Sequence, residues 1–252
     1  MALRSIFLTI FAAAAASALC GCASLDAEHP LFSTADQIGP APIQEGIWLA
    51  VGTDDCPEAN AHRRGNWDRQ CVPLEIRRAE DGAWQARWRI DLAPRLSAKD
   101  RADAERYGVM RFVLAPATEH PSTDAFSPLY VAEVTQLTAD DDSPTYFAIA
   151  PIGELPATAM LALDVSCYAI LRDGPIDGVT VTYTQPISST PTQPKLRQAS
   201  DAAPAPEAPS SEIESCTAHS QGAVREAVRR ELIEDVGRDY GQRFVRVRPL
   251  DR

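Results

Sequence analysis

The amino-acid sequence predicts a mainly β fold, an antiparallel sheet, sandwich or small barrel with a C-terminal α-helix. Three observations carry that expectation. Between Pro73 and Leu92, apolar and charged residues alternate with period two on both sides of an Asp-Gly turn. Short apolar segments then recur at 109–115, 129–137, 146–152, 160–171 and 179–183, separated by proline, glycine and acidic residues. Beyond Ser220 the period changes to a helical i, i+4 row of Val224, Val228, Leu232 and Val236.

The chain begins with Arg4, a largely apolar run from Ile6 to Leu19, and then Leu19-Cys20-Gly21-Cys22. A positive residue, a short apolar run and a small-residue exit describe a secretory signal, too short and wrongly flanked to remain as a membrane span. Leu at −3, Gly at −1 and Cys at +1 resemble the lipobox of bacterial lipoproteins, with Cys20 standing at −2 where Ala, Ser or Thr is usual. The resemblance implies a signal over 1–21 and acylation, palmitate included, of Cys22 as the mature N-terminus. An ordinary cleavage near Ala23, releasing a soluble periplasmic protein, is the other reading of the same exit.

From 22 to 44 the chain mixes Pro30, Gly39, Pro40 and Pro42 with small and polar residues, which suits a tether that orders only where something docks it. Pro30-Leu31-Phe32-Ser33, Asp36, Gly39-Pro40, Pro42 and Gly46-Ile47-Trp48 resemble the opening of a set of uncharacterised bacterial lipoproteins, a likeness of about twenty residues that implies no activity.

A β domain is expected over 45–184, beginning with the strand Ile47–Val51. In the hairpin, Trp84, Ala86, Trp88, Ile90 and Leu92 form one face of the second strand, and Leu74 and Ile76 one face of the first. A two-residue Asp81-Gly82 loop would set Ile76 opposite Arg87, on the wrong face. A three-residue loop, Glu80-Asp81-Gly82, sets Ile76 opposite Ala86 and Leu74 opposite Trp88, with Gly82 taking the left-handed position. Ser97–Tyr107 is polar and helix-tolerant, hence a short surface helix. Met160–Leu171 reads as a strand because Val165, Tyr168 and Ile170 follow its helix-tolerant start.

Residues 185–211 are rich in Pro, Ser, Thr, Ala and Gln, with no apolar periodicity, and read as a linker. Over 212–252, Ser220 caps a helix that ends at Gly237, and Arg243–Arg248 forms a last strand. That helix either docks on the sheet of its own chain or, given the linker, reaches a different protein.

The formal net charge is −11, one unit more negative once Arg4 is removed, which argues against polyphosphate partners, nucleic acid included, and against charge attraction to an anionic leaflet. An anchored protein of this charge is held by acyl chains. Of six cysteines, the mature chain keeps Cys56, Cys71, Cys167 and Cys216 beside Cys22. An even number in an oxidising compartment implies disulfides, with three pairings open. Cys56–Cys71 is favoured by proximity in the chain, leaving Cys167–Cys216.

No catalytic motif emerges: there is no Gly-x-Ser-x-Gly, His-Glu-x-x-His, phosphate-binding glycine loop or standard calcium loop. His29 and His120 read as solvated residues and His219 as a partner near the helix cap. Cys56, His62 and Cys71 are spaced too widely for a usual zinc site. Asp140-Asp141-Asp142 lacks a positioned glycine and reads as a solvated turn rather than a calcium site. Trp84 and Trp88 read as core, and Trp67 as the better candidate for an exposed contact, with packing under the Cys56–Cys71 loop as the other reading. No metal and no cofactor are expected. The functional expectation is therefore a membrane-anchored periplasmic lipoprotein without catalytic activity, binding or scaffolding another envelope molecule, possible partners being an unidentified envelope protein and the membrane itself. Ala23 at the second mature position resembles the outer-membrane sorting pattern of enteric bacteria. The alternatives are an envelope hydrolase or a carrier of small apolar ligands.

Overall fold

The computed structural model describes residues 23–52, 56, 71–94, 96–118, 128–137, 143–167, 174–183, 213–235 and 241–250. Its centre is a closed antiparallel barrel of eight strands: β2 (Gly46–Val51), β3 (Leu74–Arg78), β4 (Trp84–Trp88), β5 (Val109–Pro116), β6 (Tyr130–Gln136), β7 (Thr145–Ile152), β8 (Ala159–Asp164) and β11 (Gln242–Arg248). The first seven follow one another as a meander. β11, from the far end of the chain, pairs with both β8 and β2 and closes the ring. Closure pairs every barrel strand on both sides, which removes the open edges a flat sheet would leave.

Period-two alternation divides the strands between two cores. Trp48, Ala50, Leu74, Ile76, Trp84, Met110, Phe112, Leu114, Ala132, Phe147, Ile149, Met160, Ala162 and Phe244 point inward and fill the barrel. Val113, Ala115, Val131, Tyr146, Ala148 and Leu163 point outward, under a second layer. That layer consists of β1 (Leu25–Asp26), β9 (Val179–Tyr183), β10 (Ile213–Ala218) and helix α2 (Gln221–Asp235). The two-residue β1 joins barrel to layer, pairing antiparallel with β7 at Asp26–Thr145 and parallel with β10 at Leu25–Cys216.

The hairpin has the expected register, Ile76 opposite Ala86 and Leu74 opposite Trp88. Its three-residue loop is closed by the Ala79 N–H donating to the Ala83 carbonyl, with Gly82 at φ +82°. The second strand stops at Trp88 rather than running to Leu92, and Ile90–Leu92 is a 3-10 turn. The cause is the partner strand: β3 begins at Leu74, and the Arg89 N–H donates to Pro73, so the ladder has nothing further to pair with. Ala93 and Leu96 then close with Val72 into a small satellite core. Helix α1 (Ala98–Tyr107) occupies the expected polar stretch.

α2 starts as expected, the Ser220 hydroxyl accepting from the Ala223 N–H, and buries Val224 and Val228 with Ala223 and Ala227 on the outer core. It therefore docks on its own chain. Val236, Gly237 and the 185–211 stretch lie outside the described residues. β1 and β10 were not expected as strands. Both pair through tertiary contacts and carry little period of their own.

The stretch from Ala23 to Gln44 is fastened to the folded body at several points, with residues 28–30 and 38–40 exposed between them. Ala23, Leu25, Ala27, Phe32 and Ile43 are buried, and the last of these reaches the interior core. Its proline-rich composition forms little local structure beyond the turn Thr34–Asp36, but the barrel supplies partners for its backbone.

Candidate functional site

The barrel interior is the natural place to look for a ligand. The described residues enclose there a cavity of about 40 Å³, walled by Ile43, Leu74, Met110, Phe147, Met160, Phe244 and other apolar residues. An engineered cavity of roughly 150 Å³ takes up benzene, and ligand pockets run to about 300 Å³ and more. Eight strands bring the walls close enough for side chains to fill the middle, and Trp48, Trp84 and Phe112 do so. Trp84 stacks on Phe112 at 6.1 Å, and the Trp48 indole N–H donates to the Gln44 carbonyl. One end is stoppered by the segment leading into β2. Ile43 enters the interior there, bridged to Ala157, while the Gln44 side chain donates to the Pro156 carbonyl.

Chemistry-bearing groups lie on the outside. Glu133, on the outer face of β6, is buried beneath the N-terminal segment. Its Oε2 accepts from the backbone N–H of Leu31 at 2.7 Å, that of Phe32 at 3.0 Å and the Tyr146 hydroxyl at 3.0 Å. Burial pushes its carboxyl up, against the pull of those donors, and burial together with the Glu133 charge pushes the Tyr146 phenol up. Three protein donors on one oxygen make an anchor, leaving that oxygen no room to act as a base. Around it, the Gln221 amide donates to the Leu31 carbonyl and the Arg225 guanidinium lies 5.3 Å from the centre of the Phe32 ring.

A second carboxylate, the half-buried Asp164, ends β8 in phase with the inward Met160 and Ala162, opposite Phe147. The Ser24 hydroxyl donates to its Oδ2 at 2.6 Å, and its Oδ1 is sealed from solvent with no hydrogen bond. Burial pushes this carboxyl up to about 6, against the Ser24 hydroxyl and the Val165 N–H. Beside it, buried Glu231 of α2 accepts from the Ser166 N–H at 3.0 Å. On the far flank, Glu75 is bridged by Arg87 at 3.0 Å and Arg89 at 2.7 Å, and Arg89 also holds Asp91. Burial of Glu75 works against ionisation, but the two guanidinium groups outweigh it and hold the carboxyl below its usual range.

Of the residues singled out in the sequence, Cys56–Cys71 and Cys167–Cys216 are disulfide-bonded, with Cα–Cα distances of 5.3 and 5.8 Å. The first covers an outer patch of Leu49, Val51 and Val245; the second joins the end of β8 to β10 beside Ser24. His29 is exposed, and His219 Nε2 lies 2.8 Å from the Thr180 hydroxyl. The structure brings neither histidine to a carboxylate or cysteine site. Cys22, His62, Trp67, His120 and Asp140–Asp142 lie outside the described residues. Among the described residues no cluster of His, Cys, Asp and Glu has the makings of a metal site, and no helix is long and apolar enough to cross a membrane.

Sequence reasoning passed over Glu133, Asp164, Glu75 and Glu231. Asp164 carried a signal, an acid in step with Met160 and Ala162 on an apolar face, and so did Glu231, one helical repeat beyond Ala227. Glu133 and Glu75 sit on outward faces where an acid is ordinary, and nothing local announces that another segment or two arginines will cover them. No family model matches the chain, and neither a curated protein nor a solved structure matches it.

Proposed function

We propose that this protein is an envelope lipoprotein, anchored through acylated Cys22 and destined by Ala23 for the outer membrane, that acts without catalysis by presenting the outer surface of a rigid barrel to another envelope molecule. The observation that carries this reading is the filled interior: a void of about 40 Å³ with apolar walls favours a solid scaffold over a carrier. The two disulfides suit an oxidising compartment. The anchored carboxylates support the non-catalytic reading, since the donors on Glu133 Oε2 and the arginines on Glu75 are fixed protein partners.

Native mass spectrometry of the protein released from membranes tests the choice. The expected mass is the processed chain with its acyl groups and nothing further bound. A stoichiometric apolar ligand retained through purification would replace the scaffold with the carrier. Radioactive palmitate incorporation that disappears in Cys22→Ser, together with a shift from membrane pellet to soluble fraction or an unprocessed precursor, is the expected behaviour of the anchor. Unchanged processing and partition in that variant would remove it.

A further inference from the structure

We infer that the mature N-terminus is a short, stiff leash that holds the outer layer covering β7 against the bilayer surface and turns the β3–β4 side of the barrel away from it. The inference rests on the acylation of Cys22 and adds to it an orientation that acylation alone does not impose.

Ala23 follows Cys22 directly, so one peptide unit, with about 3.8 Å between Cα atoms, separates the lipid-bearing residue from the folded body. Ala23 is 6% exposed and Leu25 is fully buried. The Cys167 N–H donates to the Ala23 carbonyl at 2.8 Å and the Leu25 N–H to the Val165 carbonyl at 2.7 Å. Ser24 bridges to Ser166 and bonds Asp164, and β1 is inserted between β7 and β10. The Cys167–Cys216 disulfide ties together the two segments that flank this start. A flexible stretch of the same 22 residues would have let the body wander over roughly 25 Å. Docking removes that freedom.

The ring order then fixes which flank faces the lipid. β3 lies four places from β7 in a ring of eight and is diametrically opposite. Strands about 4.8 Å apart and tilted as barrels require put the two roughly 15 Å apart, backbone to backbone. The outward residues of β3 and β4, exposed Arg77 and the Glu75–Arg87–Arg89 cluster, are thereby carried away from the membrane. Charge does not produce this arrangement, because the near side shows Glu214 and Glu28 and the chain is strongly acidic.

The experiment uses the full chain, expressed in a bacterium that processes lipoproteins, labelled with radioactive palmitate and reconstituted into phosphatidylcholine vesicles containing a nitroxide-headgroup lipid. Azidophenylalanine coupled to a fluorophore replaces Glu214, which is exposed two residues before Cys216 on the strand beside β1, or Arg77 on the opposite flank. Both positions are on the surface, so neither label disturbs a core. The expected result is quenching several-fold stronger at 214 than at 77, and its collapse to equal values when twelve Gly/Ser residues are inserted between Cys22 and Ala23. Equal quenching at the two positions in palmitate-labelled protein without the insert overturns the leash while leaving the anchor standing. Absence of palmitate overturns both.

Discussion

Asp164 is a carboxyl whose burial should be readable as a pH dependence of stability. Its folded value is pushed up to about 6 from an ordinary 3.8, chiefly by burial, with the Ser24 hydroxyl and the Val165 N–H pulling the other way. A carboxyl raised in the folded state binds its proton more tightly there than in the unfolded chain. Its stabilising contribution is full below pH 3.8 and lost as pH rises through 6. At neutral pH the ionised form therefore costs the fold about 3 kcal/mol relative to acid, and at pH 4.5 about 1 kcal/mol. Asp164→Asn keeps the shape and an acceptor for Ser24 but titrates nowhere in this range. Urea unfolding followed by tryptophan fluorescence, with disulfides intact, should show the variant gaining on the parent by about 2 kcal/mol between pH 4.5 and 7.5. The carboxylates held low by partners, Glu75, Asp91 and Asp36 among them, weaken both proteins alike as pH falls and cancel in the comparison. A parent–variant difference that stays constant across that range would mean that Asp164 is not desolvated as its sealed Oδ1 indicates, and the reasoning would fail.

Other perturbations test the packing. Glu133→Ala leaves the Leu31 and Phe32 N–H groups and the Tyr146 hydroxyl without their acceptor, at about 1–3 kcal/mol for each group that stays buried; limited proteolysis should then cut near residues 28–38, and unchanged resistance there would refute the anchor. Phe244→Ala removes a buried ring from the cavity wall and should cost about 3–5 kcal/mol while making the interior able to take up xenon; an equally stable variant would mean that the interior is not close-packed. Replacing Cys167 and Cys216 by serine opens a loop of 49 residues, worth about 4 kcal/mol by chain entropy, against about 3 kcal/mol for the 15-residue loop of Cys56 and Cys71. Calorimetry of the two double variants checks the order, and a larger loss for the shorter loop would show that chain entropy is not what distinguishes them.

The hairpin was legible because two independent constraints, strand alternation and turn chemistry, admit a single register around Glu80-Asp81-Gly82. The last strand was legible as a strand from Val245 and Val247. Its place between β2 and β8 was not, because strand pairing across nearly 200 residues leaves no local mark. That one pairing is what decides a closed barrel over a sheet or sandwich. α2 was legible in its cap and apolar row, and its site on the outer core followed only once β7 and β10 had formed that core. Asp164 could have been found from the phase of Met160 and Ala162. Glu133 could not, since its burial is caused by Leu31 and Phe32, a hundred residues away.

The N-terminal stretch shows most clearly what composition omits. Prolines and small residues report that a segment has no structure of its own, and over 23–44 that is correct: β1 is two residues long and the only other regular piece is the turn Thr34–Asp36. Order comes instead from backbone groups that find partners elsewhere. The Leu25 N–H goes to Val165, those of Leu31 and Phe32 to Glu133, and that of Gln44 to Ala157. The bonds close onto three different places, so the segment is fastened just past β8, at β6 and at the stoppered end. The same residues that read as a spacer thereby join the outer layer, the buried carboxylate and the interior core. A spacer would be indifferent to its sequence; this one depends on Leu25, Phe32 and Ile43 being apolar where the barrel receives them.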